Sequence, residues 1–120
     1  IKADRIIKYM DTDKQHTHWV KFLGAFNEQF NGRATRLGMF ERSDNVTNDF
    51  WIEDGLPLIV VELDTRRAKP TIRIDVGSYS HEISGVMKVA IKLSASGEED
   101  GIDILDEHGK TTVLRIEAEV

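Results

Sequence analysis

The stretch from Gly101 to Val120 constrains the fold more than any other. Ile102, Ile104 and Leu105 lead into Asp106-Glu107-His108-Gly109, and from Thr111 the chain alternates back out. The pattern predicts a β-hairpin. Asp106 opens a type I turn, Glu107 and His108 occupy it, and Gly109 supplies the φ > 0 residue of a bulged loop. Thr112, Leu114, Ile116 and Ala118 then share one face at period two, with Arg115, Glu117 and Glu119 on the other. A hairpin with one apolar face needs a cover, and the upstream chain must supply it.

The cover begins with a helix. Trp19, Phe22, Leu23, Phe26 and Phe30 fall at i, i+3, i+4, i+7 and i+11, a single apolar stripe. Thr12 with Gln15 has capping-box spacing, with Asp13 as an alternative cap, and Asn31-Gly32 ends the helix with Gly32 in the left-handed position. Phe26, at the middle of the stripe, is expected against Leu114 and Ile116. Before the helix, Asp4 to Met10 reads as a short strand.

From Arg33 the period switches to two. Arg33 to Arg42 reads as a strand with Leu37 and Met39 on one face. Ser43 to Asp54, broken by Asp44-Asn45 and Asn48-Asp49, reads as a loop that also carries Phe50, Trp51 and Ile52. Leu56 to Leu63 is apolar on both faces and reads as a central strand. Thr65 to Pro70 is a turn, Thr71 to Val76 a strand, and Gly77-Ser78 a tight hairpin. Tyr79 to Leu93 returns as one strand with a bulge at Ser84-Gly85 and an inward row of Met87, Val89, Ile91 and Leu93. Ser94 to Asp100 is an acidic loop. The expected architecture is a single α+β domain over residues 1–120. One N-terminal amphipathic helix packs on a curled antiparallel meander of about six strands, a half-open barrel.

The helix and the last hairpin together resemble a family of short, uncharacterised bacterial proteins. Such chains open with a helix bearing a Trp and aromatic residues three and seven positions on, here Trp19, Phe22 and Phe26. They close with a strand, an Asp/Glu-x-Gly turn and a Thr-Thr-x-Leu-Arg-aromatic strand, matched by Thr111, Thr112, Leu114 and Arg115, with Ile116 in place of the aromatic. His81 and Ile83 match a His-x-Ile step. The similarity runs from about Trp19 to Ile116. It implies the fold and a bacterial origin, and it carries no assigned activity. No signal peptide is visible, and a cytoplasmic location is expected. The chain begins at Ile1 rather than Met, which leaves room for a removed leader.

Composition excludes several functions. With no cysteine, disulfides, thiolate zinc sites and a cysteine nucleophile are ruled out. Sixteen Lys and Arg against 21 Asp and Glu give a net charge of −5, the wrong balance for a duplex nucleic-acid binder. No apolar run approaches the roughly 20 residues of a membrane span. Asn45-Val46-Thr47 fits a glycosylation sequon, a tripeptide that arises often by chance.

Few residues suggest chemistry. His16 and His18 are two apart on a helix and cannot share a metal, since helical ligands need i, i+4 spacing. The acidic residues from Glu98 to Glu107 lack the ligand spacing of a calcium loop. No serine sits in a strand-turn-helix elbow, and no glycine loop opens a helix to cradle phosphate. No catalytic residue, metal ligand or cofactor is therefore assigned. The binding candidates are Trp51 as a recognition aromatic, Arg66 and Arg67 in a basic patch with Lys69 and Arg73, and His81 beside Glu82. The reading leans away from an enzyme and toward a binding or interaction module, homodimeric or joined to a protein partner through a sheet edge. A second reading is a small-molecule pocket between helix and curled sheet, lined by Met39 and Met87. A third is an acid–base enzyme using His81 and Glu82.

Overall fold

The computed structural model describes residues 5–10, 16–43, 46–94 and 100–118, with side chains placed for 18–41, 47–93 and 100–118. In chain order these are strand β1 (Arg5–Met10), helix α1 (His16–Phe30), β2 (Ala34–Ser43), β3 (Val46–Asp64), β4 (Thr71–Val76), β5 (Tyr79–Ser84), β6 (Val86–Ser94), β7 (Gly101–Asp106) and β8 (Lys110–Ile116). The helix cap expected at Thr12 to Gln15, and most of the acidic loop after Ser94, lie outside the described residues.

The class is α+β, as expected, but the strand count and connectivity differ. Eight strands form one sheet in the order β1-β6-β7-β8-β2-β3-β4-β5, every neighbouring pair antiparallel. The order is linear, with β1 and β5 at its ends, so pairing does not close the sheet into a barrel.

Two local features account for the differences, and the second adds a strand. The stretch from Ser43 to Asp54, expected as a loop, is from Val46 on the first part of β3, paired with β2 from Ser43↔Val46 to Ala34↔Pro57. The second part of β3 leaves β2 and pairs with β4, from Leu58↔Val76 to Asp64↔Thr71. Tyr79 to Leu93 is likewise two strands. Gly85, at φ +73, turns the chain from β5 into β6. Its N–H donates to Pro70 O at 2.9 Å, and its carbonyl accepts from Glu107 N at 2.9 Å. A register shift between Val86 and Lys88 then turns Met87 out of the inward row and leaves Val89 and Ile91 in it. Val86 and Val89 are buried, while Met87, expected inside, is 46% exposed.

The terminal hairpin forms as read. Asp106 Oδ1 accepts from His108 N at 2.8 Å and Lys110 N at 3.1 Å, and Gly109 takes φ +82. Thr112, Leu114 and Ile116 are buried, and Ala118 lies exposed beyond the strand. The helix stripe is likewise in the core. Trp19, Leu23, Phe26 and Phe30 cluster with Leu58, Val61, Ile72, Ile74, Leu114 and Ile116. Burying such side chains stabilises by roughly 1.5–3 kcal/mol each before entropy.

The helix does more than cover a face. Beyond Pro57 the edge of β3 that β2 vacates has no strand beside it. Helix α1, joined to β2 through Asn31–Arg33, lies back along that edge. Asn27 Nδ2 donates to Val61 O at 2.9 Å, and Val61 N donates to Asn27 Oδ1 at 2.8 Å. Asn31 Nδ2 donates to Ile59 O at 2.8 Å, and Gly32 N to Leu58 O at 2.8 Å. Backbone groups that would otherwise be orphaned are thereby satisfied by a helix.

Candidate binding face around Trp51

Pairing of β2 with β3 and β8 fixes which side chains share the outer sheet face. Gly38 lies opposite Trp51 and Val113, Phe40 opposite Asp49 and Thr111, and Arg36 opposite Arg115. Gly38 is the reason Trp51 can lie down on the sheet. A Cβ at that position would stand 2.6 Å from Trp51 Cε3 and 3.0 Å from Phe50 O. An isolated glycine inside a strand marks such a close approach. The Arg36 guanidinium stacks on the indole, 4.5 Å from its centroid, a cation–π contact.

Beside the indole runs a groove of about 480 Å³, lined by Met39, Phe40, Asp49, Phe50, Trp51, Asp103, Thr111, Val113 and Arg115. Arg36 is not among the lining residues and holds the ring from outside the groove. Phe40, Phe50 and Trp51 are 38%, 53% and 48% exposed. Arg115 and Asp103 form an ion pair, Nη1 to Oδ1 2.7 Å, with both side chains largely covered. Behind Arg36, the Glu117 carboxyl is pushed above its usual range by hydrogen bonding to the Asp54 carboxyl and by partial burial, with Arg36 pulling it back.

The other sequence candidates fall elsewhere. Arg66 and Arg67 are exposed, and each is already engaged. Arg66 Nε meets Asp64 Oδ1 at 3.1 Å, while Arg67 reaches Asp64 Oδ2 at 3.4 Å and Glu82 Oε2 at 3.0 Å. The Arg66 bonds hold the Asp64 carboxyl down at about 2. Lys69 pairs with Glu107 at 2.5 Å, and Arg73 with Glu62 at 2.9 Å and Asp75 at 3.1 Å. The basic patch is thus matched by carboxylates of the same chain.

His81 lies on the same face of β5 as the buried Ile83, half-buried and stacked on Tyr79 with centroids 6.3 Å apart. Burial lowers its pKa. It lines a cleft with Met39, Lys69, Glu82, Glu107, His108 and Lys110. Glu82 is the next residue along the strand, and its carboxylate is taken by Arg67. Among the described residues no group of three or more His, Cys, Asp or Glu is placed to hold a metal, and no helix is long and apolar enough to cross a membrane.

A third cavity, of about 220 Å³, opens between α1 and β6. Phe22, Ala25, Phe26, Gln29, Phe30, Ile91 and Leu93 line it.

The sequence pointed to Trp51 but missed Gly38, Phe40, Arg36, Asp103 and Arg115. Reading Ser43 to Asp54 as a loop left the tryptophan without a strand beneath it. The available signal was Gly38, a lone glycine in an otherwise regular strand. Comparison with family models, with curated proteins and with solved structures finds no match to this chain.

Proposed function

We propose that the protein is a non-enzymatic binding module whose recognition surface is the outer sheet face around Trp51. One observation carries this reading. Two large aromatic side chains, Trp51 and Phe40, stand exposed on one sheet face beside a single groove, the first held in place by Gly38 and Arg36. Aromatic anchors of this kind dominate recognition surfaces, and the groove lies within the volume range of small-ligand sites. The acid–base alternative finds weaker support, because Glu82 is bound to Arg67 and neighbours on a strand point to opposite faces. The family reading is supported by the positions of its motif residues. Trp19, Phe26, Thr112 and Leu114 are all buried. The bacterial assignment rests on that resemblance. The edge strands β1 and β5 are where a second copy or a partner strand would add.

The test screens wild type and Trp51→Ala against an oligosaccharide array and a displayed peptide library. Probes of at least one class are expected to bind wild type and lose the Trp51→Ala variant. If no probe distinguishes the two proteins, the reading falls.

The cavity between α1 and β6 supports a second reading, a site for a small apolar ligand. Its walls are almost entirely hydrocarbon and aromatic. Native mass spectrometry with decanoate is expected to show a one-to-one adduct that Ala25→Trp removes. Adduct formation unaffected by Ala25→Trp rejects it.

A further inference from the structure

We propose that the groove beside Trp51 takes a ring of a neutral oligosaccharide; this names the ligand class for the binding module proposed above and rests on that reading.

The chemistry of the groove is mixed in a particular way. Trp51 and Phe40 offer aromatic groups on the same sheet face, and aromatic π-clouds are electronegative. The C–H face of a pyranose ring is electropositive and flat enough to lie on them. Against these faces stand Arg115 and Asp103, a donor fork joined to an acceptor carboxylate at 2.7 Å, with the Thr111 hydroxyl and the Asp49 carboxylate alongside. A sugar hydroxyl both donates and accepts, so it uses both members of such a pair.

Charge narrows the choice. Arg115 is balanced by Asp103, and Asp49 adds a second carboxylate to the lining. A phosphate or carboxylate ligand would face two acidic groups, and a neutral, hydroxyl-rich one avoids that conflict while using the donors and acceptors of the Arg115–Asp103 pair.

Strand pairing weighs against a peptide. Extended peptides bind sheets by adding to an edge. The groove lies over β2, which is paired on both sides, so recognition there runs through side chains. From Val46 to Pro57 β3 pairs with β2 alone, and a peptide added in the sheet plane along its far edge would leave the face of the groove uncovered. The Trp51 ring is held before the ligand arrives, which lowers the ordering cost of binding.

The experiment uses the two tryptophans. Trp19 is 0% exposed and Trp51 48%, so acrylamide quenching reports on Trp51. Cellotetraose, maltotetraose and chitotetraose are titrated at millimolar concentration, with tetragalacturonate as the acidic probe and saturation-transfer NMR as a second readout. At least one neutral tetrasaccharide is expected to shield Trp51 and to bind more tightly than tetragalacturonate. Trp51→Ala should weaken that binding by about tenfold or more, while Val20→Ala, exposed on the helix, leaves it unchanged. Gly38→Ala, which displaces the indole, should weaken it as well. The saccharide inference is overturned if none of the three binds, if tetragalacturonate binds best, or if Trp51→Ala binds as wild type does. Peptides that bind in a Trp51-dependent way, with no saccharide doing so, would overturn it while leaving the binding-module reading standing.

Discussion

The side-chain amide of Asn27 satisfies both backbone groups of Val61, donating to its carbonyl at 2.9 Å and accepting from its N–H at 2.8 Å. An adjacent strand would make the same two bonds. The residue thus lets a helix occupy the place of a strand, at the edge of β3 that β2 leaves. Exposed edges of this kind invite pairing with other chains, and here Asn27 and Asn31 close one.

Asn27→Ala should therefore be costly out of proportion to its size. It leaves a donor and an acceptor of Val61 unpaired in a covered position. Each orphaned group costs about 1–3 kcal/mol, so a loss of about 2–6 kcal/mol is expected. Urea denaturation measures it, and an unchanged midpoint would show that the contact is incidental.

Phe26 tests the helix packing itself. Its ring is 3% exposed and lies 5.0 Å from that of Phe30. Phe26→Ala should cost about 3–5 kcal/mol, a large share of a typical total of roughly 5–15 kcal/mol. Lys21 is exposed on the same helix, and Lys21→Ala should change stability by no more than about 0.5 kcal/mol. Equal denaturation midpoints for the two variants would remove the helix from the core.

His81 gives the fold a defined pH dependence. Burial favours its neutral form and sets its folded pKa below the ordinary 6.5. The unfolded chain binds the proton more readily, so stability rises with pH wherever that difference holds. The contribution is complete above the unfolded value and is lost as pH falls from there through the folded one. The groups around the imidazole are Tyr79, Lys69, His108, Lys110 and Glu107. An NMR titration should place the His81 midpoint below 6.5, and His81→Gln should flatten the stability profile between about pH 7 and 5. A midpoint at or above 6.5 would contradict the buried placement.

Where burial and period agree, the sequence was transparent. The Trp19 to Phe30 stripe, the Thr71 to Ser84 hairpin and the Asp106 turn were all readable because one face of each is buried. The first part of β3 was opaque for the opposite reason. Phe50, Trp51 and Ile52 are consecutive, and Thr47 to Trp51 is exposed, so no alternation survives. Its Asn and Asp residues then weigh toward a turn. Met87 failed because the register shift falls on it: Val86 takes the inward place, while Val89 and Ile91 keep theirs. The docking role of Asn27 was hidden because a polar residue on a helix reads as solvent-facing. The candidate site was half legible. Trp51 stands out as a residue, but the groove exists only once β2, β3 and β8 lie side by side.

The placement of β8 between β7 and β2 has a consequence for how the protein is made. Without it the sheet is two separate pieces, β1-β6-β7 and β2-β3-β4-β5, each with a raw interior edge. Translation reaches β8 after the other described strands, so the nascent chain holds both halves apart until the β7–β8 hairpin folds in as the keystone. Non-local pairing of this kind makes folding slow, and unjoined halves expose sticky edges meanwhile. Synthesis that stalls before Lys110 would leave a chain with nothing to join its halves, a natural substrate for chaperones and proteases.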